Sequence, residues 1–323
     1  MNKPSQCLIF ALCVLMMLAC RTQPPSQNPV SEAEPKPTRD RPTLSLTFDD
    51  GITRDLLNYP FKEWNEMILS ALDSADLQAA FFVTGANKRD AKGRFLLKSW
   101  DQRGHMIANH TFTHPNFNNE KVSLADFKKE VLQTDEVIRG YNNYSKYFRF
   151  PYLKGGNTPE KVHGFRAFCD SLGYELGFVT IDASDWYVNS RMIKRLKADP
   201  EADIEPYRQY YLDHLWERAQ FYEEVSASLN GRHIPHTLLL HHNLTSALFL
   251  PDLIKMFRER GWDLVDASEA FADSIFDERP QLIPAGESLI WALGRESGRF
   301  DDVLRYPPED SQYEVAKMDS LGL

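Results

Sequence analysis

Cysteine is scarce in this chain, and its positions leave no pair for a disulfide bond outside the N-terminal segment. The sequence has four cysteines, three of which lie within the first twenty residues. Only Cys169 remains beyond them, and one thiol cannot form an intramolecular bridge, so a disulfide framework is excluded. Cys169 stands among apolar residues at helical spacing and is predicted to be a buried packing residue, not a catalytic thiol.

An excess of basic residues and a long apolar segment are also missing. Lys and Arg number 37 against 46 Asp and Glu, so a net charge of −9 provides no basic surface and argues against a nucleic-acid partner. The apolar run at residues 7–18 is shorter than the roughly 20 residues that a membrane-spanning helix needs. The sequence has no Gly-rich phosphate loop, sustained heptad or internal repeat.

The first twenty residues have the features of an export signal, with a charged start, an apolar run and a small residue before Cys20. Met17-Leu18-Ala19-Cys20 resembles the lipobox of bacterial lipoproteins, with Met17 where leucine is usual. That resemblance implies diacylation of Cys20 and an exported protein that is lipid-anchored to the bacterial cell envelope. Arg21 favours the outer membrane if the cell has one. The alternative is an ordinary cleaved signal peptide.

Composition divides the rest of the chain into three parts. Residues 21–42 hold six prolines and no aromatic residue, which predicts an extended tether without a core. Residues 43–275 alternate short apolar runs with amphipathic stretches and are predicted to form one domain. Residues 276–323 are expected to be a C-terminal extension, whose role the sequence leaves open.

The apolar runs predict a parallel sheet covered by helices. Strands are expected at 44–48, 79–85, 105–110, 147–152, 177–186, 236–243 and 262–269, and helices at 123–140 and 206–230. About seven such units in one domain favour a closed or nearly closed (β/α) barrel. Polar residues follow these strands, and the C-terminal strand ends of a parallel barrel share one rim, where active sites lie.

Three of these polar residues could hold a divalent metal. Asp50 follows the first strand, and His110 and His114 are four residues apart, so on a helical turn both would face the same side. Two imidazoles and one carboxylate suit zinc, the default ion, or another divalent metal with an open position. Each feature alone has an ordinary explanation, namely a polar turn or a chance pair of histidines.

Other residues at strand ends fit metal-assisted hydrolysis. Asp49 could accept a proton from the attacking water, and Arg149 could hold that carboxylate ionised. His241 could protonate the leaving group, with Asp185 raising its pKa, and Trp186 could provide an apolar wall. Taken singly, each could equally be a structural residue; their arrival together at strand ends favours catalysis.

Five motifs make the chain resemble the polysaccharide deacetylases of carbohydrate esterase family 4, the NodB-type homology domain. They stand in family order at TFDDG (47–51), NHTFTH (109–114), RFPY (149–152), DASDW (182–186) and LLLHHN (238–243). The resemblance implies a distorted (β/α) barrel with its active site at the C-terminal strand ends.

The resemblance also implies roles for individual residues. The implied catalytic group is Asp49 as base, Arg149 to orient it, His241 as acid and Asp185 to tune that acid. The implied metal triad is Asp50, His110 and His114, and the implied substrate contacts are Tyr152, Trp186 and Leu239. Two choices stay open, because His242 follows His241 and because Asp182 flanks the fourth motif together with Asp185.

The function expected from the resemblance is metal-dependent removal of acetyl groups from an N-acetylated extracellular polysaccharide, either peptidoglycan or an exopolysaccharide. An O-acetyl xylan-type esterase, a non-catalytic glycan-binding lipoprotein and an amidohydrolase for small amides are the alternatives. A long stretch at 187–236 carries five aromatic residues on a predicted helix, either as a core face or as a wall along a glycan groove.

Overall fold

Nine short strands organise the computed structural model, which describes residues 39–323. In chain order they are β1 (Thr43–Asp50), β2 (Ala80–Val83), β3 (Met106–Asn109), β4 (Tyr144–Phe148), β5 (Lys154–Gly156), β6 (Glu175–Leu176), β7 (Pro235–His241), β8 (Asp263–Leu264) and β9 (Ala285–Gly286). Seven form one parallel sheet in the order β6-β4-β3-β2-β1-β7, with β8 beside the start of β1. The sheet curls into a half-barrel, which confirms the predicted distorted (β/α) barrel.

Helices connect the strands and cover the sheet. They are α1 (Phe61–Ala75), α2 (Ala91–Asp101), α3 (Leu124–Ile138), α4 (Pro159–Leu172), α5 (Asp185–Ala198), α6 (Glu205–Asn230), α7 (Leu244–Glu259), α8 (Ala267–Phe271), α9 (Leu289–Ser297) and α10 (Gln312–Ser320). The predicted start at Ser123 is confirmed, because its side chain accepts a hydrogen bond from the amide of Asp126. The predicted end at Gly231 is confirmed by its left-handed φ of 66°.

Strand β1 lies at the centre of the fold and is buried along seven of its eight residues. Leu44, Leu46 and Phe48 alternate with polar residues, so from residue 44 to residue 48 one face of the strand carries only apolar side chains. On the other face Thr47 and Asp49 stand two residues apart and therefore point the same way. The buried strand thus delivers a carboxylate to the C-terminal rim of the sheet.

The strand predicted over 177–186 is wrong. This segment makes only one isolated bridge, Ile181 with Leu238, and passes beside β7 without a regular ladder. Thr180 and Thr237 exchange hydrogen bonds through their hydroxyls, because the amide of each donates to the Oγ1 of the other. Side-chain hydroxyls that bond the backbone in this way compete with ladder pairing.

The aromatic residues of α6 belong to the core, as the simpler of the two interpretations predicts. Tyr207, Tyr210, Tyr211 and Tyr222 are at most 4% exposed. Trp216 packs edge-on against Trp262, with ring centroids 6.1 Å apart. The helix therefore presents no aromatic wall to a glycan along these positions.

The predicted signal peptide, Cys20 and residues 21–38 of the tether lie outside the described residues. Within residues 39–323, no helix is long and apolar enough to cross a membrane. Cys169 is buried, and burial raises the pKa of its thiol to about 12, as befits a packing residue.

Candidate active site

The first two site residues are placed by the end of β1. Asp50 has a left-handed φ of 79°, and its carbonyl accepts the amide and the hydroxyl of Thr84. The chain then turns at Gly51, where a Cβ atom would lie 2.8 Å from Cε of the buried Lys88. Because of this turn, Asp49 points into the barrel while Asp50 stands at the rim with a third of its side chain exposed.

The segment that carries His110 and His114 is a loop, so the helical turn expected from their spacing is wrong. Thr111 and His114 have left-handed φ values of 66° and 62°. The amide of Thr111 donates to the side chain of Asn109, and Glu130 on α3 accepts the amide of Phe112. These bonds hold the loop in a conformation that a β-branched threonine rarely adopts.

The loop brings both imidazoles to Asp50. Nε2 of His114 lies 3.4 Å from Oδ1 of Asp50, and Nε2 of His110 lies 3.8 Å from the same oxygen. One possible ligand atom from each of the three residues lies within 4.8 Å of the ligand atoms of the other two. Two imidazole nitrogens and one carboxylate oxygen at this separation suit a divalent ion such as zinc, with room for further ligands.

The electrostatics of the three residues also fit a metal. Nδ1 of His110 lies 2.9 Å from the backbone oxygen of Arg149, which can only accept, so the proton is on Nδ1 and Nε2 is free to coordinate. Burial and the neighbouring His110 lower the pKa of His114 to about 4, which keeps that ring neutral. Burial opposes ionisation of Asp50, but the charge of His241, with a smaller contribution from Lys88, lowers its pKa.

Asp49 forms a buried ion pair with Arg149, and each residue is 2% exposed. Nη1 of Arg149 donates to Oδ1 of Asp49 at 2.7 Å and to the hydroxyl of Thr47 at 2.9 Å. The guanidinium also lies over the ring of Phe82, 3.9 Å from its centroid. Oδ2 of Asp49 lies 3.5 Å from Nε2 of His110, so the carboxylate of Asp49 stands beside the candidate metal ligands.

Replacing Arg149 with leucine is expected to destabilise the fold by about 3–5 kcal/mol, because it leaves the carboxylate of Asp49 buried without its partner. Urea unfolding would measure the loss. Arg195→Leu provides a matched control, since its ion pair with Asp199 on the surface of α5 spans 3.9 Å between exposed side chains. That variant should stay within about 0.5 kcal/mol of the wild type; equal losses in the two variants would contradict the prediction.

Across the cleft, His241 pairs with Asp185. The two oxygens of Asp185 contact the backbone amide and Nδ1 of His241, at 2.9 and 2.6 Å. Burial disfavours the imidazolium, but the charge and hydrogen bond of Asp185 raise the pKa of His241 to about 10. Among the described residues, no hydrogen bond involves Nε2 of His241, and the ring lines the cleft. It can therefore donate a proton there.

The structure separates the two pairs of alternatives. His242 is fully buried in the core, where its Nε2 bonds Asn65 and its ring lies 4.4 Å from that of Trp64. Asp182 lines the cleft but does not contact His241; burial and the charges of Glu309 and Glu287 raise the pKa of its carboxyl well above the usual value. Only His241 and Asp185 face each other.

The cleft has a volume of about 450 Å³ and includes the three predicted substrate contacts. Tyr152 and Trp186 are 58% and 43% exposed, whereas Leu239 is buried in the floor with Leu153 and Val179. The sequence did not predict the remaining wall, which consists of Lys154, Glu287 and the residues from Pro307 to Asp310. These residues belong to no motif and lie up to 260 positions from Asp50, so no local pattern points to them.

Comparison with known proteins finds similar sequences among the polysaccharide deacetylases. Residues 36–167 match the family model of the polysaccharide deacetylases. The chain is 33% identical to a peptidoglycan-N-acetylglucosamine deacetylase of Bacillus cereus over 110 residues, which is 34% of this chain and 36% of that protein. A second match, to a deacetylase of the same name and organism, is 26% identical over 228 residues, 70% of this chain and 69% of that one. This chain is thus related to the polysaccharide deacetylases, although the first match spans little more than a third of its relative.

Solved structures show the same fold. A peptidoglycan N-acetylglucosamine deacetylase aligns with a TM-score of 0.50 and 21% identity, covering 72% of this chain and 88% of the other. A pseudoenzyme of carbohydrate esterase family 4 from Bacillus anthracis aligns with a TM-score of 0.50 and 19% identity over 72% of this chain and 66% of the other. Because the fold occurs in an enzyme and in a pseudoenzyme, the argument for activity rests on the side chains of the cleft.

Proposed function

We propose that this protein is a metal-dependent deacetylase that removes acetyl groups from an N-acetylated extracellular polysaccharide. One observation carries the proposal: Asp49, paired with the buried Arg149, the group of Asp50, His110 and His114, and His241, paired with the buried Asp185, all line one cleft. A base, a metal site and an acid are the three parts that metal-assisted hydrolysis of an amide uses.

The side chains divide the reaction between them. A divalent ion held by Asp50, His110 and His114 would polarise the acetyl carbonyl and lower the pKa of a water molecule. Asp49 accepts the proton of the attacking water, and Arg149 keeps this carboxylate ionised and fixed. His241, held protonated by Asp185, donates a proton to the sugar nitrogen as the bond to the acetyl carbon breaks. Acetate and a free amine are the products.

Amino sugars of peptidoglycan or of an exopolysaccharide are the substrates that fit best. The exposed rings of Tyr152 and Trp186 offer apolar faces for sugar rings, and Leu239 with Leu153 offers an apolar floor for the acetyl methyl group. The names of the Bacillus cereus relatives support peptidoglycan. Export and a lipid anchor at Cys20 would place the enzyme beside such a polymer.

Acetate release by the purified full chain tests the proposal on N-acetylated chitooligosaccharides, peptidoglycan and acetylated xylan. Release from the first two with added Zn²⁺, abolished by a chelator, is the expected result. Release from xylan alone would indicate an O-acetyl esterase. Tight binding of a glycan without any release, with the metal bound, would contradict catalysis and indicate a glycan-binding protein.

Asp185→Asn is expected to move the alkaline limb of the pH–rate profile to lower pH. The negative charge of Asp185 raises the pKa of His241 to about 10 and keeps the acid protonated through neutral pH. Without that charge, the pKa falls towards the value of about 6.5 of a free imidazole, so His241 loses its proton at a lower pH as the pH rises. An alkaline limb at the same pH in both proteins would refute the assignment of His241 as the acid.

A further inference from the structure

The turn that precedes Asp185 is held by parts of the chain far from any motif. Ser184 is fully buried, and it occupies the N-cap position of α5. A serine at this position usually accepts an amide hydrogen bond from the first turn, but here its side chain forms no such cap. The helix that begins with Asp185 therefore lacks a side-chain cap, although its first amides donate to the backbone oxygen of Ser184.

Two hydrogen bonds to residues outside α5 hold Ser184. The amide of Ser184 donates to Nε2 of His214 on α6 at 3.0 Å, and its hydroxyl donates to the backbone oxygen of Glu309 at 2.9 Å. Both donors of Ser184 are thus used by α6 and by the C-terminal segment. They orient the residue immediately before Asp185.

His214 is itself locked in one tautomer. It is 2% exposed, and burial lowers its pKa to about 4, so the ring is neutral. Since Nε2 accepts from Ser184, the proton is on Nδ1, which lies 3.3 Å from a carboxylate oxygen of Glu314 on α10. Glu314 in turn accepts the hydroxyl of Tyr210.

Glu309, at the wall of the cleft, is also held by several polar contacts. Its carboxylate pairs with Arg218 on α6 at 2.6 Å and with Arg305 at 3.2 Å, and the hydroxyl of Tyr222 donates to it at 3.3 Å. The residue is 5% exposed, although it lines the cleft. The backbone oxygen that accepts the hydroxyl of Ser184 therefore belongs to a residue that buried ion pairs hold in place.

We propose that His214 and Glu309 are positioning residues of the active site, which hold the start of α5 so that Asp185 faces His241. The proposal rests on the function proposed above. It gives a role to α6 and to the C-terminal segment, which together fix Ser184, the residue before Asp185. A displaced Asp185 would leave His241 poorly placed to protonate a leaving amine.

Three variants separate positioning from simple destabilisation. His214→Leu removes the acceptor of the Ser184 amide, His214→Gln keeps an oxygen acceptor there, and Ser184→Ala removes the hydroxyl bond to Glu309. Each is assayed on an N-acetyl chitooligosaccharide and on 4-nitrophenyl acetate, whose phenolate leaves without needing a proton. His214→Leu and Ser184→Ala should lose about 10- to 100-fold in kcat on the amide, with much smaller losses on the ester. His214→Gln should restore the amide activity.

A measurement without turnover keeps the proposal independent of the proposed function. The downfield proton resonance of the Nδ1 proton shared by His241 and Asp185 is recorded in the wild type and in each folded variant. It should shift or broaden in His214→Leu and Ser184→Ala, and return in His214→Gln. An unchanged resonance, or equal losses on the amide and the ester, would overturn the positioning role. Absence of acetate release from the wild type, with the resonance shifted as expected, would refute the deacetylase alone.

Discussion

Asp49→Asn is expected to lower kcat/KM for deacetylation by about 10²- to 10⁴-fold, the range that a positioned general base contributes. The substitution keeps the shape of the side chain but removes the charge that accepts a proton. It also leaves Arg149 without an anion, so thermal unfolding must show that the variant is folded at the assay temperature. Initial rates of acetate release, with the metal content of each sample measured, test the prediction.

Thr47→Val is the matched control for this experiment. Thr47 lies on the same face of β1 and accepts from the same Nη1 atom of Arg149, but it is no proton acceptor for the reaction. Its loss should cost less than about 10-fold, because the bond between Arg149 and Asp49 remains. If Asp49→Asn kept its activity with the same metal content, Asp49 would not be the base.

His114→Ala is expected to lower metal affinity by more than the 10- to 100-fold that loss of an outer-shell partner typically costs. The variant keeps only Asp50 and His110 as ligands, whereas a catalytic zinc site usually has three protein ligands. Titration of the metal-free protein with Zn²⁺ measures affinity directly. Activity should fall in parallel and recover in part at high zinc concentration.

His163→Ala carries the same change on the exposed surface of α4 and should bind the ion as the wild type does. The two variants remove the same type of side chain, so any difference in zinc affinity reflects the position of His114 beside Asp50. Equal zinc affinity of His114→Ala and the wild type would refute the assignment of the metal site.

The residues that the sequence predicted well are those whose signal is local. β1 is a run of apolar residues long enough to be recognised, and the carboxylates that end it must then lie at the rim. The same argument placed His241 after β7. The segment at 177–186 resisted prediction because its apolar residues follow the strand pattern, while the hydroxyls of Thr180 and Thr237 replace the ladder.

The remaining wall of the cleft could not be predicted, since its signal depends on tertiary contacts. Glu309 is one acidic residue in a polar segment, and nothing near it in the chain indicates a buried partner. Its position at the cleft depends on contacts with Arg218 and Ser184, which are distant in the sequence. His241 and His242 could not be distinguished from the sequence for the same reason, because only tertiary contacts place His241 beside Asp185 and His242 beside Asn65 in the core.

Several residues around the metal group adopt backbone conformations that cost free energy. Asp50, Thr111, His114 and Tyr152 all have positive φ values, and none is glycine. Each such residue costs on the order of 1–3 kcal/mol relative to an ordinary conformation. Glycine at position 111 would remove the conformational cost of a β-branched residue there, but it would also remove the Thr111 hydroxyl, which accepts the amide of His114 at 3.2 Å. A loop without this cost would hold His114 less firmly, so thermal stability and the geometry of the candidate metal site are in competition along this loop.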